Sequence, residues 1–204
     1  EQSCAFCSIK ETAPAEDGGD RALARLLADL VSNRQRGVRK VRINGYDPLG
    51  FSHILELLRR TKELGYTEAE VFSPCTKLAD EAFCQAVVEA LPPDKRFHVP
   101  LYSVNADVHD RIVGRPGAHA LVMRALEHLL RRLPPEHIWI LHVVTRQGLG
   151  EIEALARFAH SKGLAFHPHM PYPSFESRAD RYFSAAPRMS EVAEALAGLY
   201  AEGQ

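Results

Sequence analysis

The sequence has no apolar run approaching the roughly 20 residues that a membrane-spanning helix needs. Its amino terminus has no basic segment followed by an apolar one, so neither a transmembrane span nor a secretory signal is expected. It also has almost no charge imbalance: 25 Lys and Arg stand against 26 Asp and Glu, a formal net charge of −1. A chain this close to neutral carries no global field for nucleic acid or an anionic membrane, and neither is expected as a partner. Cysteines number only four, Cys4, Cys7, Cys75 and Cys84. They are too few and too unevenly spread for a secreted disulfide framework, so a reducing, cytoplasmic compartment is expected. There is no P-loop, no Rossmann glycine fingerprint, no G-x-S-x-G elbow and no H-E-x-x-H pair. Internal repeats and low-complexity tracts are absent, and no initiator methionine precedes Glu1, which suggests residues upstream of this numbering.

What is present reads as one α/β domain over residues 1–204, with 1–19 as a loop and 20–204 as strand–helix units. "DRALARLLADLVSNRQRG" places Leu23, Leu26, Leu27, Leu30 and Val31 at helical spacing and stops at Gly37. Strands are then expected at 38–45, 69–73, 96–104, 137–144 and 164–170. Helices are expected at 51–65, 79–91, 118–133, 149–163 and 189–203. Strands alternating with helices imply parallel pairing through right-handed crossovers. A strand ahead of the first helix would complete six units, too few for a closed eight-stranded barrel and enough for an open one. The fold class is therefore α/β, a partial (β/α)6 TIM-like barrel with parallel strands and the first strand outside this chain. Ligands of such sheets bind at the carboxyl ends of the strands, where the Cys4–Cys7 loop, "NGYDP" and "SVNAD" would gather.

Taken alone, "CAFC" (4–7) is a redox pair, half of a zinc site, part of an iron–sulfur site, or incidental. "INGYDPL" alone is a Gly–Pro turn after a strand. His167 and His169 would share a face of a regular strand, with a core or loop role as the default and substrate contact as the sharper one. Cys75 falls at a strand's carboxyl end, near the expected cleft and so a candidate reactive thiol, whereas Cys84 reads as a small core residue. Arg115 and Arg124 read as structural or solvent-facing, and "HDRIVGRPG" as the opening of the helix that follows.

The order of these segments resembles the radical S-adenosylmethionine enzymes. In that family the loop after the first strand carries CxxxCxΦC, with Φ aromatic, and its cysteines bind a 4Fe–4S cluster whose open iron takes S-adenosylmethionine. Cys4, Phe6 and Cys7 match the second cysteine, the aromatic and the third cysteine; the first would fall immediately before Glu1. The resemblance implies Cys4 and Cys7 as metal ligands and backbone near Phe6 approaching the adenine. It implies Gly45, Tyr46, Asp47 and Pro48 in place of the family's GGEP-type turn, which binds the cofactor's ammonium. Here Tyr replaces the second Gly and Asp the usual Glu, a methylene shorter, so the backbone contacts are the firmer ones. Ser103 and Asn105 fit the positions that contact its carboxylate and ribose. Gln147 and Gly148 stand where the family often has Asn beside the adenine. The implied reaction is reductive cleavage of S-adenosylmethionine to a 5′-deoxyadenosyl radical that abstracts hydrogen from a substrate, a small molecule or peptide. An electron donor such as a flavodoxin or ferredoxin would be a partner. Two rivals stand beside it: a non-catalytic or zinc-binding barrel module using the CxxC, and a non-radical α/β enzyme with Asp47 and His167 or His169 as acid and base. Sequencing upstream of Glu1 checks the resemblance: the expected result is a cysteine directly before it, preceded by an apolar strand.

Overall fold

The computed structural model describes Cys4, Phe6, residues 18–171 and residues 185–201. Five strands form one all-parallel sheet in chain order: β1 (Lys40–Ile43), β2 (Glu68–Phe72), β3 (Asp94–Pro100), β4 (Ile138–Val143) and β5 (Ala165–His169). Among the described residues seven helices accompany them: α1 (Gly19–Gln35), α2 (Ile54–Glu63), α3 (Glu81–Ala90), α4 (Ala106–Val113), α5 (Ala118–Leu130), α6 (Ile152–Ser161) and α7 (Met189–Ala201). This is the expected α/β architecture, an open sheet of consecutive β/α units. None of the described helices is long and apolar enough to cross a membrane.

Local chemistry sets the element ends. The Asp80 carboxylate accepts a hydrogen bond from the Phe83 amide (2.8 Å) and caps α3, and Pro92–Pro93 follow its end. Gly65, at φ 83°, closes the turn that ends α2. One helix was not anticipated: α4 stands apart from α5. Asn105 caps it, its side-chain oxygen accepting from Asp107 N (2.9 Å) and Val108 N (3.3 Å), and Gly114 ends it at φ 64°. That local cap outweighs the Gly-rich segment that had read as the opening of the helix that follows. β3 is shorter than expected, ending at Pro100, which has no amide hydrogen to extend the ladder.

Strand alternation divides the sheet into two unlike faces. Ala69, Val71, Phe97, Val99, Ile138 and Ile140 are buried against apolar residues of α2, α3, α5 and α6, including Leu58, Val87, Leu129 and Leu155. Each such Val, Ile, Leu or Phe side chain contributes about 1.5–3 kcal/mol relative to exposure. Cys84 belongs to this core, as expected. The opposite face is polar and aromatic. Glu70 is hydrogen-bonded by Lys40 (2.7 Å), by Arg42 (3.0 Å) and, more loosely, by Arg96 (3.4 Å). Phe72 stacks on His98 at 3.8 Å, and His98, Trp139, His167 and His169 continue across β3 to β5.

Beyond β1, a groove of about 490 Å³ runs between α1, β1 and α2, lined by apolar residues that include Leu26, Leu30, Val41, Ile43 and Leu57. β1 has a strand neighbour on one side only among the described residues. The groove lies where a strand ahead of α1 is expected.

Burial alone would raise the Glu70 carboxyl, but the hydrogen bonds and charges of Lys40 and Arg42 overcome it and hold it down at about 2, against an ordinary 4.5. A depressed folded-state value means that the ion cluster's stabilisation is fully present above pH 4.5 and is lost as pH falls toward about 2. Urea-unfolding midpoints measured across that range should fall, and Glu70→Gln should flatten the dependence. At neutral pH the same variant leaves three cations without this partner and should lose about 2–3 kcal/mol, less than a fully buried broken pair because the cations reach solvent.

Candidate active site at the carboxyl ends of the strands

The loops after β1, β2, β3 and β4 meet at one rim of the sheet. After β1, Gly45 (φ 145°, a region that favours glycine) leads through Tyr46 to Asp47, which precedes a 3₁₀ turn at Pro48–Gly50. The Asp47 carbonyl accepts from Gly50 N (2.9 Å), and its carboxylate Oδ1 accepts from the Ser73 hydroxyl (3.0 Å) after β2. Burial pushes the Asp47 carboxyl above its ordinary value, against the Ser73 hydrogen bond and the nearby Lys77 charge. The Asp47 side chain is therefore tied to the neighbouring loop, and the Gly45–Asp47 backbone forms a turn at the rim.

Ser73 also accepts from Cys75 N (3.1 Å), and the Cys75 thiol donates to Ser73 O (3.2 Å). Cys75 takes a left-handed conformation, φ 60°, which is rare outside glycine and is held here by those two bonds. The expectation of a reactive thiol is corrected. Cys75 is completely buried, and burial together with the Asp47 carboxylate pushes its titration far above the ordinary thiol value, which keeps it protonated.

After β3, the Ser103 hydroxyl donates to Glu151 Oε2 (2.5 Å) and accepts from Asn105 N (2.9 Å). The Asn105 side-chain oxygen is occupied by the α4 cap. Glu151, at the 3₁₀ turn that opens α6, escaped the sequence reading because an acid at a helix start reads as a cap. It joins the β3 and β4 loops through Ser103. Beneath it, His142 is buried with Nδ1 3.2 Å from Leu101 O and Nε2 3.2 Å from Gly148 O, and burial lowers its pKa. The absence of a side chain at Gly148 makes room for this ring: a Cβ would lie 3.0 Å from it. Gln147 is exposed.

Cys4 and Phe6 pack against Tyr102, Ile112, Val113 and Ala118, with the Phe6 and Tyr102 ring centroids 5.2 Å apart. They therefore lie on the same rim, over the loop after β3. Cys7 lies outside the described residues. Beside Asp47 an open groove of about 1040 Å³ is lined by His53, Lys77, Arg115 and Arg124, so the two arginines face a common cleft with the Asp47 loop. The rim thus gathers Cys4, Phe6, the Gly45–Pro48 turn, Ser103 and Asn105. His167 and His169 lie on the polar face of β5, their rings 4.2 Å apart.

The radical SAM superfamily model matches residues 1–159, more than half of the chain. The chain belongs to the radical SAM superfamily. Its solved neighbour "Structure of TYW1 with a lysine-pyruvate adduct bound" aligns over 100% of this chain and 70% of that one, at a TM-score of 0.62 and 17% identity. That likeness is one of fold, a parallel open barrel of the radical SAM type. No protein with a curated description matches the chain. Radical SAM proteins are enzymes, and the general class of this one follows from its family.

The residues fit the cluster that the family implies in their donor chemistry. Among the described residues no three His, Cys, Asp or Glu side chains converge as a metal site. Among the described cysteines, Cys4 alone is not buried, and it sits on an aromatic, apolar wall at the carboxyl ends of the strands. A soft thiolate donor shielded by apolar surface suits iron–sulfur ligation. Labelling with a thiol reagent under native conditions should leave Cys75 and Cys84 unmodified until the protein unfolds. Burial holds both thiols protonated, Cys84 at about 11.

Proposed function

We propose that this chain binds a 4Fe–4S cluster through Cys4 and Cys7, with S-adenosylmethionine beside it, and that it abstracts a hydrogen atom from a small-molecule or peptide substrate. The observation that carries the reading is the packing of Cys4 and Phe6 on Tyr102, at the rim that also holds the Gly45–Asp47 turn and Ser103. The cluster, when bound, supplies the electron that cleaves the sulfonium carbon–sulfur bond to give the 5′-deoxyadenosyl radical. An electron-donor protein such as a flavodoxin or ferredoxin would reduce it.

The protein's own residues bind, orient and exclude water. The carbonyls and amides of Gly45, Tyr46 and Asp47 are the polar backbone groups offered at the rim, with Pro48 fixing the turn that follows. The Asp47 carboxylate is already occupied by Ser73, so the ammonium is held chiefly by backbone oxygens. Ser103 is positioned by Glu151, and Asn105 by the α4 cap it makes. These contacts leave one acceptor lone pair on the Ser103 oxygen, for a ribose hydroxyl, and the Asn105 NH₂, for the carboxylate or ribose. Phe6, its ring tilted by 59° against Tyr102, is fixed at the rim so that the backbone beside it approaches the adenine.

Anaerobic reconstitution with iron and sulfide, on a polypeptide extended upstream of Glu1, tests this. The expected protein is brown, absorbs near about 400 nm from thiolate-to-iron charge transfer, and forms 5′-deoxyadenosine when reduced with S-adenosylmethionine. Cys4→Ala and Cys7→Ala should each abolish both signals, and Ser103→Ala should slow 5′-deoxyadenosine formation by about fivefold, the loss of one neutral hydrogen bond and of the Ser103–Glu151 link between the loops. A colourless protein carrying one stoichiometric zinc would sink the reading.

A further inference from the structure

The open groove beside Asp47 carries cations that the fold leaves without partners. Arg59 on α2, Lys77 on the 3₁₀ turn before α3, Arg115 between α4 and α5, and Arg124 on α5 all line it. The guanidinium groups of Arg59, Arg115 and Arg124 make no hydrogen bond and no ion pair among the described residues, and the Lys77 charge reaches Asp47 without a bond. Three carboxylates share the lining, and each is already engaged within the protein. Asp47 accepts from Ser73 (3.0 Å), Asp80 caps α3, and Glu56 lies 3.7 Å from His53. By formal charge the lining is close to balanced, four cations against three carboxylates. What distinguishes it is that the unpaired side is the positive one. No acid stands in the first turn of α5, so the end of that helix adds positive potential rather than cancelling it.

The floor between these charges is apolar: Phe51, Leu55, Phe83 and Leu121 line it and are only half-buried. An apolar centre edged by long cationic side chains is the anatomy of a protein–protein contact. Charges at such an edge steer a partner of opposite sign and set its orientation. The place of the groove on the fold says what the partner does. Cys4 packs against Ala118, the first residue of α5, and Leu121 one turn later lines the groove, as does Asp47. A partner seated there stands about one helical turn from the thiol proposed to hold the cluster, and beside the turn proposed to hold the cofactor. Electron transfer through protein weakens steeply with distance, so a reductant must dock where its acceptor lies near the surface. Among the described cysteines Cys4 alone is not buried.

We propose that the groove between α2, the turn before α3, and α5 is the docking surface for an acidic electron-donor protein, whose carboxylates pair with Arg59, Lys77, Arg115 and Arg124 around the apolar floor. The docked donor is oxidised by one electron and the cluster is reduced by one; no atom is transferred. The proposal rests on the radical SAM reading for the fate of that electron, and not for the docking itself, which needs only the groove. Redox contacts of this class are small and transient, and their strength falls as salt screens the charges.

Docking is measured on the whole chain with flavodoxin, an acidic one-electron donor, as the probe. A carbodiimide joins carboxylates to lysine amines that they touch. The expected cross-link runs from a flavodoxin carboxylate to Lys77, and it should fade as salt is raised. On the reconstituted protein, Arg59→Glu and Arg124→Glu should each raise the KM for reduced flavodoxin by about fivefold, and leave 5′-deoxyadenosine formation driven by dithionite unchanged. Arg25→Glu makes the same charge change on α1, outside the groove, and should alter neither. Arg25, Arg59 and Arg124 are exposed, so their variants are expected to fold, and melting temperatures verify this. Cross-links at other lysines alone, or from Lys77 to a second copy of the chain, overturn the proposal. A KM unmoved by both groove variants, or raised as much by Arg25→Glu, overturns it too. Because cross-linking is scored without the cluster, failed dithionite-driven cleavage with intact docking condemns only the radical reading. Intact cleavage with no docking condemns the docking surface alone.

Discussion

Parallel strands cannot turn back on one another, so each crossover must carry a helix across one face of the sheet, and that helix must bury every second residue of the strands beneath it. Val71, Phe97, Val99, Ile138 and Ile140 meet this demand against α2, α3, α5 and α6. The alternate residues are then released from the core. Glu70, Arg96, His98, Trp139 and His167 occupy those released positions, and all of the chemistry outside the rim loops is written there. The same constraint aligns the carboxyl ends of all strands, which is why loops distant in sequence meet. Asp47 bonds to Ser73 across 26 residues, and Ser103 to Glu151 across 48.

Those cross-loop bonds give the rim its order. Ser73 is a hub, donating to Asp47 and receiving from Cys75, and the left-handed residue at Cys75 fits only because both partners are in place. Ser103 has the same role between β3 and β4, linking Glu151 to the amide that opens α4. The groups proposed for the cofactor are thus held by protein partners first, an arrangement that favours preorganisation.

Much of this was legible in the residues. The alternation of helical and strand periodicity gave the order of elements, and the glycines and prolines marked their ends. Cys84 read correctly as core because it sits on the apolar face of a helical pattern. What periodicity does not carry is which partner a polar side chain takes. Cys75 appeared near the cleft from its position alone, but the fold turns it inward to a carbonyl. Asn105 was read as a ligand contact, and its local capping of α4 is a helix start that the Gly-rich sequence disguised. Glu151 was missed because its partner lies on another strand's loop. The ion cluster around Glu70 was equally hidden, since Lys40 and Arg42 lie on β1, Glu70 on β2 and Arg96 on β3.

The outer edge of β1 has a further consequence. Its outer amides and carbonyls, which meet no strand among the described residues, lie beside an apolar groove lined by Leu26, Leu30 and Val41, a ready template for any extended segment that meets it. Lys40 and Arg42, charged side chains on this very strand, repel their counterparts in a second copy and so act as gatekeepers against assembly. The residues that hold Glu70 on the sheet's polar face thereby also guard its margin.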